Sequence, residues 1–209
     1  MASTIRMGYT IGISLGWNCY SASKAVEMGI RSRKADGYTT CPFDEALTNY
    51  PGIVECIRDD FSEFFDLEIC EVANTNPYCT SESLIRNKKY RFVFNHESPG
   101  HADLWQTEGW PNGREHFIMN SFEKFKERYE RRIQNFRNYL LSGKEVTFVI
   151  TRPNPIDTAD LDAVLKEKYP QLSYKIVYLD LERVTEHYIN HLRIMGFSDN
   201  DPEIQRVNI

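Results

Sequence analysis

The sequence lacks the signatures of several common protein classes. No apolar run approaches the roughly eighteen residues that a membrane-spanning helix needs, and residues 1–9 are too polar for the apolar core of a signal peptide. The Gly-Lys-Ser/Thr of a phosphate-binding loop and the GxGxxG of a dinucleotide-binding fold are both missing. We therefore expect an intracellular protein that has no membrane span and uses no nucleotide cofactor.

Cysteine is scarce, and its spacing excludes the usual cysteine frameworks. The chain has five cysteines in 209 residues, an odd number without any CxxC pair. Such a set is a poor basis for a disulfide framework or a zinc site. We predict free thiols in a reducing compartment.

Two pairs of histidines have spacings that only partly fit a metal site. His96 and His101 are one residue too far apart for the helical zinc-protease motif, and Pro99 between them forbids the helix. His187 and His191 have helical spacing, but no third ligand is evident beyond a neighbouring glutamate. We predict no metal and no other cofactor.

The overall composition is that of an ordinary globular protein. Hydrophobic residues make up 41% and charged residues 26% of the chain. The net charge of −5 argues against general binding to nucleic acid or to a membrane surface. The length suits one domain over residues 1–209, with a loop-rich insertion around residues 66–118. The oligomeric state is left open.

The clearest local pattern lies near the beginning of the chain. Residues 11–15 alternate as a strand does, and after Asn18 the apolar spacing becomes helical until Gly29. Cys19 therefore lies at a strand-to-helix turn. Because a helix start has unpaired N–H groups and a positive dipole end, we expect the Cys19 thiol to ionise more easily than a free one.

The rest of the chain alternates between helical and strand patterns. Apolar spacing predicts helices over residues 50–65, 121–141, 157–169 and 182–195, and strands over residues 90–94, 146–151 and 174–179. Residues 67–88 show no clear pattern, and residues 98–113 are predicted to be a long surface loop. The order favours an α/β fold, a layered and mostly parallel sheet flanked by helices.

Cysteine catalysis is the chemistry that these residues suggest. In parallel sheets the active site lies at the carboxyl ends of the strands, and Cys19 and His96 each follow a predicted strand. Cys19 would be the nucleophile and His96 the general base, while Asp44, or less readily Asp103 or Asn95, would orient the imidazole. The alternative is that Cys19 is a small core residue and His96 is satisfied by backbone groups.

The oxyanion of an acyl-transfer reaction needs hydrogen-bond donors close to the nucleophile. The Cys19 N–H and the Asn18 side chain are the candidates that the sequence offers. The arginines and lysines of the helix over residues 121–141 could contact phosphate groups. They are more simply explained as a solvated face that pairs with Glu123, Glu127 and Glu130.

Several short motifs together resemble one family. Ser-Leu-Gly-Trp-Asn-Cys ending at Cys19, Gly-Ile-Arg ending at Arg31, Pro-Phe-Asp ending at Asp44, and Phe-Asn-His ending at His96 occur in this order. A basic helix follows around residues 128–132. This combination is similar to a family of bacteria and large DNA viruses labelled putative papain-like cysteine peptidase, over about the first 150 residues.

The resemblance implies a function and a location. It implies that Cys19 is the nucleophile and His96 the general base, supported by Asp44, in the cytoplasm or, for a virus, in the host cell. It also offers a papain-like α+β fold as the alternative architecture. Glu45 departs from the pattern, which favours tryptophan at that position, and this change is expected to alter the substrate pocket.

Two functional hypotheses remain. The first is an intracellular cysteine hydrolase, of peptidase or acyl-transfer type, acting on a peptide or acyl substrate. The second is a non-catalytic interaction module of the same family that binds a protein partner. Its contact patch would be formed by Trp105, Trp110 and Phe117 in and near the predicted loop.

Overall fold

The computed structural model describes residues 11–73, 81–180 and 185–207. These segments contain five strands and seven α-helices. In chain order they are β1 (Ile11–Ser14), α1 (Cys19–Glu27), α2 (Tyr50–Arg58), β2 (Leu67–Ala73), β3 (Ser81–Asn87), α3 (Leu104–Thr107), α4 (Met119–Leu140), β4 (Val146–Arg152), α5 (Ala159–Lys168), β5 (Tyr174–Asp180), α6 (Thr185–Ile194) and α7 (Pro202–Gln205). The predicted helix start at residues 182–184 lies outside the described residues.

The first sheet is parallel and consists of β1, β4 and β5, with β4 in the centre. Phe148 of β4 lies opposite Ile13 of β1 and Ile176 of β5. Every residue of β4 is buried, as expected for a strand that is covered on both faces by other elements. The predicted α/β fold with a parallel sheet is therefore confirmed.

The second sheet is an antiparallel pair that the sequence pattern did not predict. β2 and β3 run antiparallel, with Ile69 opposite Ile85 and Cys70 opposite Leu84. The residues of β2 are half-buried or exposed, with no fully buried position. Because neither face is clearly apolar, the alternation that identifies a strand is weak here.

The predicted strand over residues 90–94 is wrong. Arg91 has a positive φ of 59°, and Val93 forms only isolated bridges, to Leu47 on one side and to Arg86 on the other. Phe92 and Phe94 are fully buried in an aromatic core, so their alternation reflects core packing and not a strand. His96 therefore does not follow a strand of the parallel sheet.

The long amphipathic helix is confirmed as α4. Its apolar side chains Phe125, Tyr129, Ile133 and Phe136 are buried. Residues 120–122 at its beginning have left-handed backbone angles, so the regular helix starts after them. In the described part of the chain, no helix is long and apolar enough to cross a membrane.

The N-terminus of α2 is joined to the segment around Tyr90 by one asparagine. The Asn49 side chain accepts a hydrogen bond from the Gly52 N–H (2.8 Å) and donates one to the Tyr90 carbonyl oxygen (2.9 Å). An asparagine at this position is a strongly preferred helix cap. This junction leaves no space for a side chain at residue 52, since a Cβ there would lie 2.4 Å from the Tyr90 carbonyl oxygen.

We expect Gly52→Ala to destabilise the protein by about 1–3 kcal/mol, because the Tyr90 carbonyl oxygen and the side chains of Asn49 and Phe92 must move to accept the methyl group. Urea denaturation followed by circular dichroism measures the change. Ser23→Ala, an exposed position in α1, is the control and should stay within about 0.5 kcal/mol. An unchanged free energy of unfolding in Gly52→Ala would contradict the close packing of α2 against this segment.

Candidate active site

Cys19 occupies the first position of α1, after the turn that leaves β1. Asn18 caps this helix, since its side-chain oxygen accepts a hydrogen bond from the Tyr20 N–H at 2.9 Å. The Thr151 hydroxyl at the end of β4 donates to the Ser21 hydroxyl at 3.0 Å and holds the helix start against the sheet. Cys19 itself is exposed. The predicted strand-to-helix turn is confirmed.

The predicted easy ionisation of this thiol is wrong. Partial burial of the sulfur raises the pKa of the Cys19 thiol, and the nearby Glu45 carboxylate raises it further. The backbone N–H of Cys19 lowers the pKa, as the helix argument requires, but this effect does not offset the other two. The thiol is therefore protonated at neutral pH in the resting protein.

His96 lies in a short 3-10 turn, Asn95–Glu97, and is half-buried. It lines a cleft of about 650 Å³ that we name the basic cleft. The lining residues are Lys34, Thr39, Thr40, Glu45, His96, Glu108, Arg128, Arg131, Arg132 and Asn135. Among the described residues, no hydrogen bond joins the Cys19 thiol to His96.

Asp44 lies in a buried cluster. Its carboxylate oxygens accept hydrogen bonds from the Arg31 guanidinium (2.7 Å), the Tyr38 hydroxyl (2.9 Å) and the Cys41 N–H (2.8 Å). Asp44 and Arg31, which belong to two separate motifs in the sequence, are thus one ion pair with both side chains buried. No hydrogen bond or ion pair joins Asp44 to His96 in the described residues, and the support of His96 by Asp44 stays a prediction.

Two other residues were considered as orienting groups for His96. The Asn95 amide nitrogen lies 3.4 Å from Nε2 of His101. Asp103 is exposed immediately before α3 and has a positive φ of 52°. In the described part of the chain neither side chain forms a hydrogen bond or an ion pair with His96.

Glu45 is a carboxylate that sequence reasoning did not assign a catalytic role. It acts electrostatically on the Cys19 thiol, lines the basic cleft together with His96, and has its own pKa lowered in part by His96. Burial raises the pKa of the Glu45 carboxyl, but Arg132, 2.5 Å away, and Lys34 outweigh burial and lower it. Glu45 is therefore ionised. The sequence did contain a signal, since this residue departs from the family pattern directly after Pro-Phe-Asp.

A buried glutamate organises the arginines of α4. Glu97 has no exposed surface and lies 3.0 Å from a guanidinium nitrogen of Arg128 and 3.2 Å from one of Arg132. The predicted solvated pairing holds for Lys124, which lies 2.8 Å from Glu127. It is wrong for Arg128 and Arg132, which turn inward because Glu97 is brought against them from a distant part of the chain.

Comparison with known families identifies the chain. A family model matches residues 11–184, most of the chain, and the family is described as putative papain-like cysteine peptidase. The chain belongs to this family. No curated protein and no solved structure matches it.

The family match extends over the whole parallel sheet. The sequence motifs cover about the first 150 residues, whereas the family model continues to residue 184. The matched region therefore includes β1, β4 and β5, the whole parallel sheet. The parallel sheet is thus part of the family region and not an addition to it.

Two histidines of α6 lie beside the turn that precedes Cys19 in this family member. The rings of His187 and His191 are 4.2 Å apart, and both pack against Trp17. Burial, together with the neighbouring His187, lowers the pKa of His191 to about 3. The described residues contain no group of three or more His, Cys, Asp or Glu side chains that could hold a metal ion.

Proposed function

We propose that this protein is a cysteine hydrolase, of peptidase or acyl-transfer type, in which Cys19 is the nucleophile. One observation carries the proposal: Glu45 lines the basic cleft together with the half-buried His96, and its ionised carboxylate acts electrostatically on Cys19 at the start of α1. These three groups come from three separate segments of the chain. Nucleophile, proton acceptor and a charge that stabilises the protonated acceptor are the components that thiol catalysis requires.

The reaction begins with a neutral thiol, because the pKa of Cys19 is raised. His96 takes the thiol proton as the sulfur forms a bond to the substrate carbonyl carbon. The protonated imidazole then gives this proton to the leaving group, whose bond to carbon breaks and leaves a thioester on Cys19. Water hydrolyses the thioester, with His96 as base, and the thiol is restored. Glu45 stabilises the positive imidazole through each proton transfer.

The oxyanion of the intermediate is held at the start of α1. The Cys19 N–H occupies the first helical position, where no intrahelical acceptor is available. Asn18 uses its side-chain oxygen as the helix cap, so its amide nitrogen remains available to donate. Both donors belong to Cys19 or to the residue directly before it, and donors close to the nucleophile are what such stabilisation needs.

The hydrolase proposal also includes an intracellular location. The described cysteines Cys19, Cys41, Cys56 and Cys70 are all free thiols. Free thiols are typical of proteins in a reducing compartment.

The second candidate function is a non-catalytic interaction module. The raised pKa of Cys19 and the lack of a hydrogen bond between its thiol and His96 within the described segments favour it. The exposed aromatic patch that the sequence predicted for this interaction module is wrong, however. Trp110 and Phe117 are buried and pack edge-to-face on each other, and Trp105 is half-buried.

Alkylation of the thiols by iodoacetamide tests the nucleophile. We expect Cys19 to be labelled faster than the buried Cys56 and the half-buried Cys70, with a rate that rises with pH up to the raised pKa. Because Glu45 repels the thiolate, Glu45→Gln should lower this pKa and speed labelling at pH 8 by about threefold to tenfold. Peptide mass spectrometry measures the rates.

The matched control is Glu108→Gln, which removes a carboxylate from the same cleft. Its carboxylate accepts a hydrogen bond from the Trp110 indole at 3.2 Å and does not act on Cys19. Equal effects of the two substitutions would contradict the specific coupling of Glu45 to the thiol. Labelling of Cys19 no faster than Cys56 would contradict its role as nucleophile.

A further inference from the structure

We infer that the basic cleft binds an oxyanion carried by the substrate peptide, either the carboxylate of an acidic side chain or a phosphate group. This inference rests on the proposed function, since it names the substrate class for the Cys19 site. The evidence for it is the positive charge of the cleft and the guanidinium N–H groups there that have no acceptor among the described residues. Neither depends on the reactivity of the thiol.

Positive charge is in excess on the cleft surface. Four lining residues are cations, Lys34, Arg128, Arg131 and Arg132, and two are carboxylates, Glu45 and Glu108. The buried Glu97 lies beneath this surface and compensates part of the charge from below. A concave surface with like charges on its walls concentrates the field on its interior and attracts an ion of the opposite sign.

Two guanidinium groups keep donors free for such an ion. Arg128 contributes one terminal nitrogen to Glu97 at 3.0 Å, and no other hydrogen bond of its guanidinium is found in the described residues. Arg131 lies one helical turn further along α4, is exposed, and forms no ion pair within the described segments. Residues three apart on a helix are neighbours on its surface, so both groups can reach one ligand.

The orientation of Arg128 is set before any ligand binds. Its guanidinium stacks over the Phe117 ring at 4.4 Å, and Glu97 holds one end of it. The Tyr129 hydroxyl donates to the same Glu97 at 3.0 Å and fixes that carboxylate in turn. A planar guanidinium held in this way offers a fixed pair of donors, which suits the two oxygens of a carboxylate or phosphate.

The cleft is connected to the reactive thiol through Glu45. Cys19 does not itself line the cleft, but Glu45 lines it and acts electrostatically on Cys19, so we place the reacting carbonyl of the peptide at Cys19 and a neighbouring side chain in the cleft. The negative charge of Glu45 is compensated in part, because Lys34 and Arg132 both pair with it. An acidic or phosphorylated residue beside the reacting carbonyl is thus selected over a neutral one.

Isothermal titration calorimetry on full-length Cys19→Ala protein tests this inference without turnover. The probes are N-acetylated, C-amidated peptides: tetraglutamate, tetraglutamine, and a tetraglutamine peptide with one phosphoserine. We expect at least one anionic peptide to bind about tenfold or more tightly than tetraglutamine, and its affinity to fall as salt is raised. The tighter of the two anionic peptides identifies carboxylate or phosphate as the bound group.

Arg131→Gln is the test variant and should weaken the anionic peptide by about fivefold, because its exposed guanidinium has no structural partner in the described residues to lose. Lys126→Gln is the matched control. It removes the same charge from α4, but Lys126 lines a different cavity, of about 600 Å³, and its effect should stay below about twofold.

The results separate this inference from the proposed function. Equal affinity for all three peptides, or equal losses in Arg131→Gln and Lys126→Gln, would overturn the oxyanion site. Anionic selectivity that depends on Arg131, combined with a Cys19 that iodoacetamide does not label in the wild type, would retain the binding site and remove the hydrolase. Labelling of Cys19 without selectivity for the anionic peptides would retain the hydrolase and remove the binding site.

Discussion

His96→Ala should slow the acylation of Cys19 by p-nitrophenyl acetate by about 10²-fold or more, the typical contribution of a general base. The effect is large because the thiol is protonated in the resting protein. Burial and Glu45 raise the pKa of the Cys19 thiol, so attack on a carbonyl requires a group that takes the proton as the bond forms. His96 is the imidazole that interacts electrostatically with the same Glu45 carboxylate.

The acyl group itself is measured by peptide mass spectrometry. In the wild type we expect an acetyl group on Cys19, and in Cys19→Ala no acetyl group on the corresponding peptide. His116→Ala is the control for loss of a histidine, since His116 does not line the basic cleft and packs on Trp110 and Phe117. Its rate of acylation should equal that of the wild type.

Two outcomes would contradict the mechanism. Equal rates in His96→Ala and the wild type would show that His96 is not the base for Cys19. Acetylation spread evenly over Cys19, Cys56 and Cys70 would show that Cys19 is not a special nucleophile, and the interaction-module alternative would then be preferred.

Arg31→Met should destabilise the protein by about 3–5 kcal/mol, the usual cost of removing one partner from a buried ion pair. Arg31 and Asp44 are both buried and their charged atoms lie 2.7 Å apart. The substitution would leave the Asp44 carboxylate without its cation in a site that water does not reach. The Arg31 guanidinium also stacks over the Tyr38 ring at 4.2 Å, and this contact is lost as well.

Urea denaturation of Arg31→Met and of a matched control measures this cost. The control is Arg137→Met, which removes an arginine whose ion pair with Asp60 (2.9 Å) is partly exposed and should contribute about 1 kcal/mol or less. Natural domains are stable by only about 5–15 kcal/mol, so Arg31→Met should lower the urea midpoint strongly or prevent folding. Similar midpoints in the two variants would show that the Arg31–Asp44 pair is not a structural centre of the loop over residues 31–44.

Much of the fold could be predicted from local patterns. β1, α1, α4, β4, α5 and β5 were predicted close to their observed positions, because each has a clear strand or helix period that its own residues determine. The antiparallel pair of β2 and β3 was missed because β2 has no buried face, and in β3 the buried Leu84 and Ile85 are consecutive and do not alternate with polar residues. The strand over residues 90–94 was predicted wrongly, since burial of Phe92 and Phe94 in an aromatic core imitates strand alternation.

The same difference between local patterns and long-range contacts applies to the candidate site. The sequence by itself determined that Cys19 lies at the start of a helix after a strand, because strand and helix periods act over a few residues. Only the tertiary structure decided the ionisation of that thiol and the pairing of the α4 arginines. Glu45 and Glu97 come from distant segments, and electrostatic energy depends on separation in space, which local sequence patterns do not report.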